Sequence, residues 1–170
     1  MTQEEKDLVV KDLCGRLPFH VKVAIDFEEY LEVLPDDENL QYPYRKNLKF
    51  ILNYDNKTIE DISKEPHILY AYPCSERFQM LRGYTYEFDY GVPVEFIKPY
   101  LRPMSSMTEE ERGEFRNFGG VMSYSPQHDT WSISAFSPEA YDWLNKNMFD
   151  YRGLIPMGLA LEATENMYSI

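Results

Sequence analysis

Two stretches of the chain alternate between apolar and more polar residues, which is the pattern of a strand with one buried face. In residues 21–27, Val21, Val23, Ile25 and Phe27 are separated by polar or small residues. In residues 84–90, aromatic side chains occupy every second position. Because successive side chains of a strand point to opposite faces, both stretches predict half-buried β-strands. We interpret the aromatic face as core, because proteins that bind single-stranded nucleic acid pair such aromatics with cationic grooves.

Shorter alternating or apolar runs predict further strands, several of them in neighbouring pairs. These runs lie at residues 30–34, 48–54, 67–72, 121–125, 130–136 and 159–161. The runs at 121–125 and 130–136 flank a Pro-Gln-His-Asp turn, so we expect a β-hairpin there.

Three segments carry the start signals of longer helices. Thr2 with Glu5, and Thr108 with Glu111, fit the capping box, in which a hydroxyl and a carboxylate each accept a backbone N–H. A serine N-cap is followed by proline at the first helical position at residues 137–138. These signals predict helices over residues 3–16, 109–118 and 138–148. Weaker signals predict short helical segments at residues 58–63, 76–82 and 93–98.

The order of these elements favours an α+β fold. Neighbouring strands, rather than strands that alternate with helices, are typical of an antiparallel sheet. The chain has 170 residues, of which 44% are hydrophobic, and this suits one domain of ordinary size. We therefore predict a single globular domain over residues 1–170, a mainly antiparallel sheet with three main helices packed on one face.

The segment that leads into the second capping box is the most strongly specified in the chain. Pro99 and Pro103 fix their own φ and favour extended geometry in the residue before each of them. One interpretation is a docking surface made by Tyr100, Arg102 and the Met-Ser-Ser-Met turn that follows. The other is a rigid connector between a sheet and a helix. We favour the connector, because proline and cap residues already have a structural explanation.

The formal net charge of −12 limits the classes of partner. A protein that binds the nucleic-acid backbone needs clustered lysine and arginine, so we expect no direct nucleic-acid binding. An acidic chain is compatible with a basic protein partner. The expected partner is therefore a protein.

The segment from residue 26 to residue 38 contains seven acidic residues and no lysine or arginine. Three interpretations stay open: a solvated edge, a cation site, and a surface that imitates nucleic acid. The segment lacks the ligand spacing and the glycine of a calcium-binding helix-loop-helix. We favour the solvated edge, since charge runs are usually solvated and acids on an edge strand discourage aggregation. Asp36, Asp37 and Glu38 are the candidate interaction residues of this run.

Residue types that carry catalysis or bind metals are sparse and scattered. The three histidines, His20, His67 and His128, are far apart, and none has a second ligand at metal spacing. Two cysteines make neither a disulfide framework nor a zinc site, and Cys14 is expected to be a buried reduced thiol. The sequence has no nucleophile elbow, phosphate-cradling loop or dinucleotide fingerprint. We expect no cofactor and no metal, and we lean towards a protein that is not an enzyme.

The sequence also indicates where the protein acts. Its first residues lack the basic and apolar regions of a secretory signal peptide. No apolar run approaches the length of a membrane span. We expect a cytoplasmic protein that does not associate with membranes.

Three blocks of the sequence carry a resemblance: KDLCGRLPFHVKV at 11–23, IKPYLRPMSSMTEEE at 97–111 and WLNKNMFDYRGLIPMGLALEA at 143–163. These blocks resemble a group of small uncharacterised proteins from gut-dwelling anaerobic bacteria and from their phages and mobile elements. They cover somewhat under a third of the chain. The resemblance implies an accessory protein of phage or mobile-element origin and assigns no catalytic or binding residue. Residues between 27 and 92 do not share in it.

These observations leave three functional hypotheses. The first is a non-enzymatic, cytosolic protein–protein interaction module of prophage or mobile-element origin. The second is an acidic decoy that occupies a DNA-binding protein, with carboxylates spaced over one face like phosphates. The third is a small enzyme with an unrecognised site, in which His67 or His128 meets acids from distant segments in a concave pocket.

Overall fold

Helices and mainly antiparallel strands make the fold α+β, as the sequence predicts. The computed structural model describes residues 1–26, 29, 67–74, 77–82, 86–87, 92–125, 127, 130–135 and 137–168. Within these ranges the α-helices are α1 (Gln3–Arg16), α2 (Glu109–Asn117) and α3 (Pro138–Lys146). The strands are β1 (Lys22–Ile25), β2 (His67–Cys74), β3 (Arg77–Arg82), β4 (Tyr86–Glu87), β5 (Val92–Pro93), β6 (Ile97–Leu101), β7 (Gly120–Ser125), β8 (Thr130–Ala135) and β9 (Leu161–Glu162).

The chain divides into two compact units. The first comprises Met1–Val10 and Lys22–Lys98, and the second comprises Lys11–Val21 and Pro99–Ile170. α1 and β6 therefore each begin in the first unit and end in the second. The single domain over residues 1–170 stays a prediction.

The first unit is built on an antiparallel sheet. Its strand order is β4-β3-β2-β1, and β5 also pairs with β3. β1 shows the predicted alternation, with Val23 and Ile25 buried. Lys6 of α1 forms a salt bridge of 3.2 Å with Glu95, in the 3-10 turn that precedes β6. The alternation of buried residues in β1 therefore confirms the prediction of this strand.

The second unit surrounds an aromatic core. Trp143 of α3 packs between two phenylalanines, Phe115 of α2 and Phe149. The ring centroid of each phenylalanine lies 5.6 Å from that of Trp143. The antiparallel hairpin β7–β8 begins at Gly120, where an added Cβ would lie 2.2 Å from the ring of Phe115. The last residues of β6 pair in parallel with β9, with Tyr100 opposite Leu161. The hairpin can approach α2 this closely only because residue 120 is glycine.

All three predicted helix starts are confirmed. Thr108 donates its backbone N–H to Glu111 Oε2 at 2.8 Å, and its hydroxyl accepts the Glu111 N–H at 3.2 Å. Thr2 and Glu5 exchange the same two bonds, at 2.7 and 3.2 Å. Ser137 Oγ accepts the N–H of residue 140 at 3.1 Å. Local hydrogen-bond chemistry was therefore sufficient to place these helix starts.

Two local predictions are wrong. Residues 76–82 were expected to be helical, but β3 (Arg77–Arg82) is a strand whose backbone pairs with β2. Pairing with a neighbouring strand outweighs the weak preference of so short a segment for helix. Residues 93–98 form only a 3-10 turn, Val94–Phe96, and Ile97 already belongs to β6.

The exposure of individual side chains completes the description of the helices. Phe118, which follows α2, and Tyr141 of α3 are both exposed, whereas Trp143 is buried in α3. Cys14 is half-buried, and burial raises the pKa of its thiol. The predictions for residues 30–34, 48–54 and 58–63 lie outside the described residues.

Candidate interaction surface

The connector between β6 and α2 is one turn of 3-10 helix, Met104–Ser106. Met104 is buried, as is Met107 immediately after the turn, whereas Ser105 and Ser106 are exposed. Ser106 Oγ donates a hydrogen bond of 2.8 Å to the carbonyl of Pro103 and closes the turn. The methionines therefore anchor the turn and leave the two serines accessible.

Arg102 fixes this turn to the start of α2. Its Nη1 and Nη2 donate to the two carboxylate oxygens of Glu111 at 2.7 and 3.0 Å. Its guanidinium carbon also lies 4.2 Å from the ring centroid of Phe149. A planar fork of donors on a carboxylate gives geometric specificity as well as attraction. The Arg102 side chain therefore acts as part of a rigid connector.

Glu111 serves Arg102 and the cap of α2 at the same time. Burial raises the pKa of the Glu111 carboxyl, but hydrogen bonds from Arg102 and Thr108 act in the opposite direction. Together with the positive charge of Arg102 they outweigh burial and lower the pKa below its usual value. Glu111 is therefore ionised at neutral pH, as its pairing with the guanidinium requires.

Tyr100 and Arg102 are the two predicted interaction residues that the structure describes. Tyr100 is half-buried in β6, and its carbonyl accepts a hydrogen bond of 2.8 Å from the hydroxyl of Tyr168. Burial raises the pKa of the Tyr100 phenol. The other three predicted residues, Asp36, Asp37 and Glu38, lie outside the described residues.

An open pocket of about 460 Å³, termed here the aromatic pocket, adjoins the turn. It is lined by Pro103, Met104, Ser105, Trp131, Ile133, Asp150, Tyr151, Gly153, Ile155 and Pro156. Most of these side chains are aliphatic or aromatic, with a few polar groups among them. This lining is typical of a site that takes an apolar group.

Trp131, on β8, is held in place from two directions. Tyr124 on β7 lies opposite it in the hairpin, with the ring centroids 5.0 Å apart. The guanidinium carbon of Arg112, on α2, lies 5.0 Å from the Trp131 ring centroid. Arg112 also forms a salt bridge with Glu109. The indole is thus oriented by packing before any ligand arrives.

Tyr151 is the second aromatic residue of the pocket and is likewise held by its neighbours. Its hydroxyl donates to Asn145 Oδ1 at 3.1 Å, and its ring lies 5.9 Å from that of Tyr141. The guanidinium carbon of Arg152 lies 4.7 Å from its ring centroid. Burial raises the pKa of the Tyr151 phenol, although nearby arginines act in the opposite direction. The phenol is therefore neutral at physiological pH and serves as a hydrogen-bond donor.

Asp150 lines the same pocket and holds the loop that follows α3. Its two carboxylate oxygens accept the backbone N–H groups of Leu154 and Ile155, each at 2.8 Å. The residue is 6% exposed, and burial raises its pKa despite these hydrogen bonds. Because both oxygens already accept backbone hydrogen bonds, the geometry favours a loop-holding role over proton transfer.

A second open pocket, of about 480 Å³, also adjoins the turn and is termed the polar pocket. It is lined by Arg102, Pro103, Ser106, Glu162, Ala163, Thr164, Glu165 and Tyr168. Pro103 lines both pockets, whereas Ser105 belongs to the aromatic pocket and Ser106 to the polar one. The two concave regions are therefore neighbours that meet at one exposed turn.

A buried cluster of charges supports the loop that carries Tyr151. Asp12 and Arg16 are both fully buried, and Nε and Nη2 of Arg16 donate to Asp12 at 2.7 and 2.9 Å. Nη2 also donates to the carbonyl of Phe149 at 2.9 Å, and Arg152 Nε donates to Asp12 Oδ1 at 3.2 Å. The end of α1 is therefore tied to the loop after α3 by charge-assisted hydrogen bonds.

Little in the described part of the chain resembles a catalytic or metal centre. No group of three or more His, Cys, Asp or Glu in these ranges is arranged to hold a metal ion. His20 is exposed, with a left-handed φ of 57°, His67 belongs to β2, and His128 lies outside the described residues. Among the described helices, none has the length and apolar character needed to cross a membrane.

The aromatic pocket is the part of the surface that sequence analysis missed. The hairpin register offered one signal, because Tyr124 and Trp131 lie directly opposite each other and so share a face. The remaining lining comes from the turn after β6 and the loop after α3. Only tertiary packing brings these three segments together, so local patterns could not reveal the pocket.

Comparisons of the chain with protein-family models, with curated proteins and with solved structures found no match. The function is therefore inferred from the geometry of the surface around the Met104–Ser106 turn.

Proposed function

We propose that this chain is a non-enzymatic protein–protein interaction module that binds its partner through the surface around the Met104–Ser106 turn. The observation that carries the proposal is the junction of an aromatic and a polar pocket at Pro103. Protein interfaces combine an apolar, aromatic centre with a polar periphery, and aromatic anchors in pockets supply most of the binding energy.

Exposed apolar side chains near the aromatic pocket support the proposal. Tyr124 and Tyr141 are 45% and 43% exposed, and each contacts an aromatic residue that lines the pocket. Met157, next to pocket residue Pro156, is 49% exposed. Single exposed apolar residues are normal, but a group of them beside an aromatic pocket is typical of an interaction site.

The rigidity of the surface is a second line of support. Arg102 and Glu111 fix the turn, and Asp150 fixes the loop that contributes Tyr151. A surface that is already ordered loses less conformational entropy on binding, so more of the contact energy appears as affinity.

The biological setting is part of the same proposal. We place the protein in the cytoplasm as an accessory protein of prophage or mobile-element origin. The resemblance of the three sequence blocks supports this origin, and two of them, residues 97–111 and 143–163, contain many residues of the two pockets. The net charge of −12 favours a partner with basic character.

Site-specific photo-cross-linking tests the proposal. A photoreactive amino acid replaces Ser105, at the rim of the aromatic pocket, or Asp142, an exposed residue of α3 that lines neither pocket. After irradiation in cells of the source bacterium, the Ser105 probe is expected to capture one defined protein that the Asp142 probe does not.

A second variant makes this experiment decisive. Trp131→Ala removes the largest side chain of the aromatic pocket, so it is expected to abolish capture by the Ser105 probe. Far-ultraviolet circular dichroism checks that the variant remains folded. Equal capture from both probe positions, or capture that persists in folded Trp131→Ala, would contradict the proposal.

A further inference from the structure

We infer that the partner presents an extended, basic segment, with an apolar side chain in the aromatic pocket and a neighbouring lysine or arginine in the polar pocket. This inference rests on the proposed function and adds the chemistry of the partner. The occupant of the two pockets is a protein segment rather than a small molecule or a second copy of the chain.

The charges of the polar pocket point to a cationic side chain. Glu162 and Glu165 are exposed, and neither is in an ion pair within the described residues. The positive charge of Arg102 is already matched by the carboxylate of Glu111. Among the described residues, the pocket therefore presents two carboxylates that no cation pairs with, and a lysine or arginine side chain complements them.

The aromatic pocket favours an apolar side chain over a second cation. Arginines already lie over its aromatic rings, Arg112 over Trp131 and Arg152 over Tyr151. A cation entering this pocket would find these ring faces already occupied, whereas an apolar group would gain contacts with Met104 and Ile133. The basic residue is therefore assigned to the polar pocket and the apolar one to the aromatic pocket.

The arrangement of the two pockets favours an extended segment. Both meet at Pro103, and a turn of only three residues, Met104–Ser106, adjoins them. Successive side chains of an extended chain point in opposite directions, so residues near each other in sequence can enter neighbouring pockets. The hydroxyl of exposed Ser105 can donate to or accept from the backbone of such a segment, and Ser106 Oγ, which already donates to Pro103, can accept a backbone N–H.

Selection from a phage-displayed library of random linear peptides, against the full chain, tests this chemistry. The expected peptides share an apolar residue close to a lysine or arginine. One selected peptide is then synthesised in two forms, as selected and with its basic residue replaced by glutamine. Binding of both is measured by fluorescence polarisation at low and at high salt.

Two protein variants test which side chain of the peptide enters which pocket. Glu162→Gln with Glu165→Gln is expected to weaken the basic peptide about three- to tenfold, as for exposed charge pairs, and to leave its glutamine form unchanged. Trp131→Ala is expected to weaken both peptides. The matched control, Glu110→Gln with Glu139→Gln, removes the same charge from exposed positions outside the two pockets and should bind like the wild type.

The outcomes separate this inference from the proposed function. Peptides selected without basic residues, or binding of the basic peptide that is unchanged in the Glu162 and Glu165 variant, overturn the inference. If the Ser105 probe still captures a partner and Trp131→Ala abolishes that capture, the proposed function stands even though the inference about the basic segment fails. A library that yields no binder also overturns the inference, and the cross-linking result then decides the proposed function by itself.

Discussion

Arg102 and Glu111 form a pair of parallel hydrogen bonds, 2.7 and 3.0 Å long, that joins the end of β6 to the first turn of α2. The same carboxylate accepts the backbone N–H of Thr108, the N-cap of α2. One glutamate therefore completes a capping box and anchors the connector that carries the exposed serines. The geometry of the proposed docking surface depends on this pair.

Arg102→Lys is expected to destabilise the protein by about 1–2 kcal/mol. A lysine cannot form the paired hydrogen bonds with Glu111, nor can it lie flat over the ring of Phe149. Urea unfolding followed by circular dichroism measures the change. The control is Arg116→Lys, at an exposed position of α2, which should change stability by less than about 0.5 kcal/mol. Equal effects of the two substitutions would show that Arg102 has no special structural role.

The stability conferred by Glu111 is expected to disappear in acid. Its pKa is lower in the folded protein than the usual value, so its stabilisation is fully present above the unfolded-state pKa of about 4.3. It is lost as the pH falls through the folded pKa. The difference in unfolding free energy between wild type and Glu111→Gln should therefore be largest near neutral pH and shrink towards pH 3.

Urea unfolding across this pH range tests the sign of the effect. Glu110→Gln is a suitable control, because Glu110 lies in the same helical turn but is exposed and has no arginine partner among the described residues. Its difference from wild type should stay small throughout. A Glu111→Gln difference that is constant, or that grows in acid, would rule out this assignment of the pKa shift.

Gly120→Ala is expected to destabilise the protein by about 1–3 kcal/mol. The added methyl group would lie 2.2 Å from the fully buried ring of Phe115, which must then move within the core. Gly113→Ala provides the matched control, since an added Cβ there meets nothing within 4 Å and lies in α2. That substitution should stabilise the protein by about 0.5–1 kcal/mol. Thermal unfolding measures both, and a Gly120→Ala protein as stable as wild type would contradict the packing.

The elements that could be predicted from the sequence are those whose signals are local. The Thr108 capping box places the start of α2, and the alternation around Val23 places β1. The segment Arg77–Arg82 shows the limit of such signals. Weak local signals favoured a helix there, but backbone pairing with β2 decides the structure. The residues of the segment alone do not reveal that pairing.

The candidate surface was predictable only in part, for the same reason. Tyr100 and Arg102 could be selected because prolines and a capping box specify their segment. Arg102 lines the polar pocket, whereas Tyr100 lies in β6 and lines neither pocket. Trp131 and Tyr151 are separated along the chain and meet around one pocket only through packing against the core. The buried pair of Asp12 and Arg16 also gave no signal, since charges four residues apart on a helix are usually exposed.

That buried pair leads to the largest stability effect that we expect. Asp12→Asn leaves the guanidinium of Arg16 fully buried without its counter-charge, and removal of one partner of a buried pair costs about 3–5 kcal/mol. Arg152→Ala serves as the control, because Arg152 also donates to Asp12 but is 21% exposed. Loss of this partly exposed hydrogen bond and ion pair in Arg152→Ala should lower the unfolding free energy by about 1 kcal/mol or less.

A double variant separates a missing counter-charge from a general loss of packing. Asp12→Leu with Arg16→Met replaces the pair by apolar side chains, and should recover much of the stability lost in Asp12→Asn. Urea unfolding of the three variants and the wild type gives the comparison, and complete unfolding of Asp12→Asn would count as a loss of at least the expected size. An Asp12→Asn protein no less stable than Arg152→Ala would show that Arg16 does not depend on Asp12. Asp12→Asn could also lose stability as expected while the double variant recovers none of it. The hydrogen bond from Arg16 to the Phe149 carbonyl, and not the ion pair, would then hold the end of α1 to the loop after α3.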